Sequence, residues 1–184
     1  MNPLDIIAKY YPVGSEAYRI LVIHSRSVAD KALAIARMHP EMNLDLTFVE
    51  EAAMLHDIGI FRCNAPDIDC HGDAEYICHG YLGAELMRAE GYPRHARVCE
   101  RHTGTGITLA MIEERGLPLP HRDFKPETLE EQLICYADKF YSKSGDMAKK
   151  PLSRVRNSIA RHGSDSLSRF DRLHEIFAIP DTEA

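Results

Sequence analysis

The chain contains no tryptophan, no stretch of 18 apolar residues and no Cys-x-x-Cys pair. The missing apolar run argues against a membrane span. The first residues also lack the basic-then-apolar order of a secretory signal. Five cysteines, Cys63, Cys70, Cys78, Cys99 and Cys135, make an odd and scattered set, which suits a reducing cytoplasm better than a disulfide framework. Basic residues are not in excess. Lys and Arg number 22 against 28 Asp and Glu, a formal net charge of −6, which disfavours nucleic acid as a partner gripped by its backbone. A local basic pocket for a small phosphorylated molecule is compatible with that balance. Neither a phosphate-cradling P-loop nor a Gly-x-Ser-x-Gly nucleophile elbow is present.

What is there is an ordinary globular composition, 45% hydrophobic and 27% charged over 184 residues, enough for one domain that buries its own core. The periodicity is helical throughout. Leu4 to Tyr10 opens the chain and stops at Tyr11-Pro12-Val13-Gly14. Ser15 is an N-cap for a long helix through Ile20, Val28 and Ile35, ended by Met38-His39-Pro40. A second helix is expected over Leu46 to Ile58, with Gly59 as its stop. Residues 61–77 have no clean period and read as a long loop, functional or mobile. Further helices are expected near 79–90, 94–102, 106–115 and 127–143, and two more between Pro151 and Ala178 broken near Gly163. No strand and no repeat is evident, so the fold class is all-α, with a main domain over 1–150 and a helical extension over 151–184 packed on it.

Ten histidines raise the question of which converge, since imidazole is the commonest metal ligand. The sharpest local signal is His56-Asp57-Ile58-Gly59, placed at the end of an apolar helix. Burying both polar side chains without partners costs several kcal/mol, on the order of the transfer penalty for an unpaired polar group, and a cation would pair them. His24 ends the apolar run Ile20-Leu21-Val22-Ile23, and Asp138 ends Ile134-Cys135-Tyr136-Ala137. Read singly, each has a bland explanation: a satisfied core histidine, a capped helix end, a salt-bridged aspartate. Taken together they put His, His-Asp and Asp in order on three separate helices.

This order, over residues 20 to 145, resembles the HD superfamily of metal-dependent phosphohydrolases, and His56 to Gly59 matches its HDIG variant. The resemblance implies a compact helical bundle with the metal site between central helices. It implies that His24, His56, Asp57 and Asp138 hold one metal, and that His79 and His102 hold a second with Asp57 bridging. Two divalent ions are implied, Fe or Mn favoured, with Zn, Mg, Co or Ni as other occupants. A hydroxide shared by them would attack phosphorus in line. Asp57 and Lys139 are then the catalytic residues. The ligand order is similar to that of bacterial HD enzymes that split diadenosine tetraphosphate. The chain departs from the cyclic-dinucleotide HD-GYP group: Ile60 and Arg101-His102 stand where that group carries a lysine and a His-His pair, and Gly91-Tyr92-Pro93 is displaced.

Arg26, Arg62, Arg101, Lys139 and Lys143 lie within a few residues of these positions and are candidates to bind substrate phosphate, with a nucleotide-like small molecule as the expected substrate. The 61–77 loop and Thr103 to Gly106 are expected to shape its pocket. His39, His95, His121, His162 and His174 read as surface residues, and His71 as a loop residue that approaches the site at most. Two other readings stand beside hydrolysis: a di-iron oxygenase on the same ligand set, and a non-catalytic nucleotide-binding module. The apolar positions of the last helices, Val155, Ile159, Leu167, Phe170, Leu173, Ile176 and Phe177, serve either a homodimer contact or the core.

Overall fold

The computed structural model describes residues 1–180, and positions 181–184 of the expected C-terminal extension lie outside the described residues. Among the described residues there are nine α-helices: α1 (Pro3–Tyr10), α2 (Glu16–Met38), α3 (Leu46–Leu55), α4 (His79–Ala89), α5 (Pro93–Arg101), α6 (Leu109–Arg115), α7 (Leu129–Asp138), α8 (Leu152–Ala160) and α9 (Ser164–Phe177). The all-α reading is right. Several starts have a chemical cause. The Ser15 hydroxyl accepts from the Tyr18 N–H, the Asp45 carboxylate from Phe48 and the Thr128 hydroxyl from Glu131, whose own side chain returns to the Thr128 N–H, satisfying donors that a helix N-terminus leaves without partners.

The core runs between α2, α3 and α7, where Leu21, Val28, Val49, Leu55, Leu133 and Ile134 are buried. α4 packs on α5, which in turn packs on α3 and α7, and α9 packs on α7 and α8. Phe170 and Phe177 from α9 bury their rings against Tyr136 of α7, at centroid distances of 5.6 and 5.9 Å. The apolar residues of the last two helices are therefore core for the most part. Val155, Ile159, Phe170, Leu173 and Phe177 are buried, whereas Ile176 is exposed.

Four expectations need correction. The second helix stops at Leu55, three residues early, and α7 stops at Asp138 rather than continuing to 143. Both stops coincide with the polar residues that follow an apolar run. Within the expected loop, Asn64–Ala65 (β1) and Cys70–His71 (β2) form a two-residue antiparallel ladder, too short to carry a period. Finally, Gly59 is not a left-handed helix stop. Its φ is −83°, and its role is close approach: a Cβ there would lie 2.3 Å from the His79 carbonyl oxygen and 2.4 Å from the Gly83 nitrogen. Tyr11 fixes the same turn from below, donating its hydroxyl to the Ile58 carbonyl at 2.8 Å and accepting from the Phe61 N–H at 3.1 Å.

Because the obstacle at Gly59 is backbone rather than a flexible side chain, Gly59→Ala should lower unfolding stability by about 3 kcal/mol, the upper range for overpacking. Urea unfolding of the two proteins measures it, and a loss below about 0.5 kcal/mol would refute the close-packed turn.

Candidate metal centre

Three helix ends deliver imidazoles by one device. His56 follows the last residue of α3, His102 follows the last of α5, and His79 is the first of α4. In each case the ring Nδ1 meets the carbonyl three residues back: Ala53 at 2.6 Å, Cys99 at 2.7 Å and Tyr76 at 2.7 Å. A carbonyl only accepts, so a proton sits on each Nδ1 and Nε2 faces inward. The carbonyls of a helix's last turn lack intrahelical donors, so the two C-terminal histidines satisfy the backbone and orient themselves together.

All six expected ligands converge. His24 Nε2 lies 3.1 Å from Asp57 Oδ2 and 3.0 Å from Asp138 Oδ1. His56 Nε2 lies 3.0 and 3.4 Å from the same two oxygens. On the other side of the carboxylate, His79 and His102 Nε2 lie 3.3 and 3.2 Å from Asp57 Oδ1, and 3.1 Å from each other. Two groups that could hold a metal ion result, His24–His56–Asp57–Asp138 and Asp57–His79–His102, with Asp57 common to both and one carboxylate oxygen facing each.

The electrostatics are those of a site built for positive charge. Asp57 is fully buried, and neither of its oxygens makes a hydrogen bond of good geometry despite these neighbours. Burial works to raise its pKa, yet His56 and Lys143 outweigh it and hold the carboxylate well below its usual range. Asp138 is depressed in the same way, against burial, by Lys139 and the histidines. The imidazoles split. Burial opposes protonation of His56, but Asp57 and Asp138 lift it to about 9, while burial pushes His102 down to about 4. A neutral His102 with its proton on Nδ1 therefore turns a bare lone pair toward Asp57.

The expected phosphate-binding residues divide. Lys143 places Nζ 2.6 Å from Asp57 Oδ2, and Lys139 places its Nζ 2.8 Å from Asp138 Oδ2 and 2.9 Å from the His102 carbonyl. Both line a cleft of about 500 Å³ that opens on Asp138. The three arginines are engaged elsewhere. Arg26 pairs with Glu50, Arg62 with Glu85 and Arg101 with Glu127, and none of them lines the cleft. Proximity in sequence misled here, because neighbours on a helix point about 100° apart. The 61–77 loop does shape the cleft through Asn64, Asp67 and Tyr76, but of Thr103 to Gly106 only Gly104 takes part.

Sequence reasoning missed the places of Tyr76 and of the expected helix α8 at the cleft. Tyr76 stacks on the His79 ring at 4.7 Å, a place that the irregular loop concealed. α8 contributes Ser158, Ile159 and, just past its end, His162 to the cleft wall. His162, expected only as a surface residue, thus borders the site. His95, also expected at the surface, is buried against Glu51 at 3.3 Å, whereas His71 stays exposed beside Asp69.

Residues 21–142 match the HD domain family. The chain belongs to that family. Among curated relatives, a tRNA (cytidine(56)-2'-O)-methyltransferase of Thermoplasma volcanium is 32% identical over 95% of this chain, and its namesake from Picrophilus torridus is 31% identical over 85%. An uncharacterised protein of Methanocaldococcus jannaschii is 37% identical over 64% of this chain and 64% of its own length. The chain spans 45% and 41% of the two methyltransferases, less than half of each. The HD domain of the Listeria monocytogenes phosphodiesterase PgpH shares the fold, with a TM-score of 0.53 at 16% identity over 95% of this chain and 96% of that one. No helix among the described residues is long and apolar enough to cross a membrane.

A cluster of this kind should couple ion binding to stability. Adding Mn²⁺ at about 100 times its dissociation constant should raise stability by about 2.7 kcal/mol, read as a rise in Tm that the Asp57→Ala variant does not show. A variant that kept the full rise would refute the shared-carboxylate centre.

Proposed function

We propose that this HD-family chain is a metal-dependent phosphohydrolase acting on a phosphate ester or phosphoanhydride in a nucleotide-like substrate. One observation carries the reading. His79 Nε2, His102 Nε2 and Asp57 Oδ1 lie within 3.1–3.3 Å of one another, and with each ring's Nδ1 committed to a backbone carbonyl this grouping suits a shared cation. We assign one ion to His24, His56, Asp57 and Asp138, and a second to Asp57, His79 and His102. Imidazole mixed with carboxylate suits Fe or Mn, ahead of Zn, Co, Ni or Mg. When bound, such ions supply Lewis acidity toward a phosphoryl group and bring the pKa of a coordinated water near about 7.

The chain's own residues do the rest. Lys143, over the Tyr76 ring at 5.8 Å, balances Asp57 and stands at the cleft wall, where its ammonium can pair with a phosphoryl oxygen. Lys139 is held by Asp138 and the His102 carbonyl, so its role is to orient Asp138 and to add positive charge beside the cleft. Tyr76 shields His79 from water.

The methyltransferase name of the longer relatives points elsewhere, and the chain aligns with less than half of each. Methyl transfer between a donor and a hydroxyl has no use for four inward imidazoles around a carboxylate. We therefore attach the hydrolytic chemistry to this chain and leave methyl transfer with those whole proteins.

Protein purified without chelator should carry Fe or Mn by elemental analysis. With Mn²⁺ it should hydrolyse bis-p-nitrophenyl phosphate or a nucleotide, without oxygen uptake. Asp57→Asn should lower kcat at least about 100-fold, since even outer-shell partners of such sites cost 10- to 100-fold. Full activity in that variant, or oxygen consumption in step with turnover, would overturn the reading.

A further inference from the structure

The net charge of −6 hides a segregation. Residues 139–161 carry seven Lys or Arg against a single acid, Asp146, so the remainder of the chain is strongly acidic. These basic residues are concentrated where the metal cleft continues outward. Beside the cleft of about 500 Å³ lie two further concavities of about 430 and 290 Å³, and Ser142 and Lys150 line all three. The second is walled by Arg154, Asn157, Ser158 and Arg161 of α8 and its end. Positions 154, 158 and 161 recur at the spacing of one helix face. Among the described residues, neither the Arg154 nor the Arg161 side chain is paired with a carboxylate, unlike Arg156, which pairs with Asp171. Burial chiefly, then Lys139, Lys143 and Arg154, pull the pKa of Lys150 down, with Asp138 opposing. Like charges gathered this closely are relieved by an anion that spans them.

We infer that the groove running from Asp138 past Lys150 to Arg161 binds a single-stranded oligonucleotide, whose successive phosphates lie along α8 while one phosphate stands at the metal centre. A mononucleotide fills the first concavity and leaves the Arg154–Arg161 face without a partner. A strand engages both. The groove mixes cations with amide and hydroxyl donors, Asn157, Ser153 and Ser158, and the cleft adds an aromatic ring, Tyr76, the combination that suits a phosphodiester strand with stackable bases better than inorganic polyphosphate. The groove's outer wall lies beyond residue 142, where the family match ends. This inference rests on the phosphohydrolase reading for the orientation of the strand, but its binding surface can be tested apart from catalysis.

The test uses fluorescence anisotropy with labelled phosphorothioate strands of about ten nucleotides, within the usual span of single-strand sites, as RNA and as DNA, with the labelled mononucleotide as reference. The wild-type protein should bind a strand at least tenfold more tightly than the mononucleotide. Arg154→Glu/Arg161→Glu, at two exposed positions, should weaken strand binding at least tenfold and flatten its salt dependence by about 1.4, at roughly 0.7 per single-strand phosphate contact. Mononucleotide affinity should change less than twofold. RNA and DNA bound alike would indicate readout of the backbone alone, and preference for RNA a contact to the 2'-hydroxyl; either supports the groove. Equal affinity for strand and mononucleotide, or equal losses for both in the variant, would overturn it. Absence of bis-p-nitrophenyl phosphate hydrolysis would instead count against the phosphohydrolase reading, leaving the binding result to stand or fall by itself.

Discussion

A carboxylate with no access to water is the constraint around which this molecule is arranged. Asp57 sits fully buried at the turn after α3, where an isolated charge would be expelled or neutralised. What keeps it ionised is chiefly positive charge close by, His56 beside it and the Lys143 ammonium after α7, within a shell completed by His24 from α2 and by His79 and His102 from the α4–α5 pair. Each contributor is held by the backbone or by another member of the shell. Polar residues from the ends of α3, α5 and α7, from the start of α4 and from the middle of α2 meet at this one point. Gly59 and Tyr11 are the clearest sign of that pressure, for they serve to let the turn carrying Asp57 press against α4.

Most of the centre was legible from sequence because its residues break a strong pattern. His24, Asp57 and Asp138 stand at the ends of apolar runs on well-formed helices, and a polar residue there needs a partner. The resemblance then supplied His79 and His102. The arginines were misread because position along the chain says little about direction: Arg101 is next to His102, yet it turns to Glu127 and the Lys125 carbonyl. Tyr76 and the small β1–β2 ladder escaped because irregular segments carry no period. The premature ends of α3 and α7 were missed for a related reason. Propensity favours continuation, whereas the helices stop where His56-Asp57 and Asp138 turn into the cluster.

The cleft has two kinds of wall. One is made of Asp138 at the end of α7 and the residues that follow it, Lys139 and Lys143 among them. The other comes from the 61–77 segment and from α8, with Asn64, Asp67 and Ser158 among its side chains. The first wall is constrained by the geometry of charge around Asp57. The second packs its apolar residues Val155 and Ile159 into the core, so its solvent-facing positions can change in chemistry without disturbing the centre.

The shared carbonyl device at His56, His79 and His102 has a consequence for how the centre assembles. A ring tethered to the peptide one turn behind it has a defined direction only while that turn is wound. The donors therefore converge as a coincidence: α3, α5 and the short turn Tyr76–Cys78 that leads into α4 must all be intact at the same moment, and unwinding any one of them scatters the set. Such a centre behaves as a logical AND of three helix termini, so that an occupied site would report the integrity of the whole bundle.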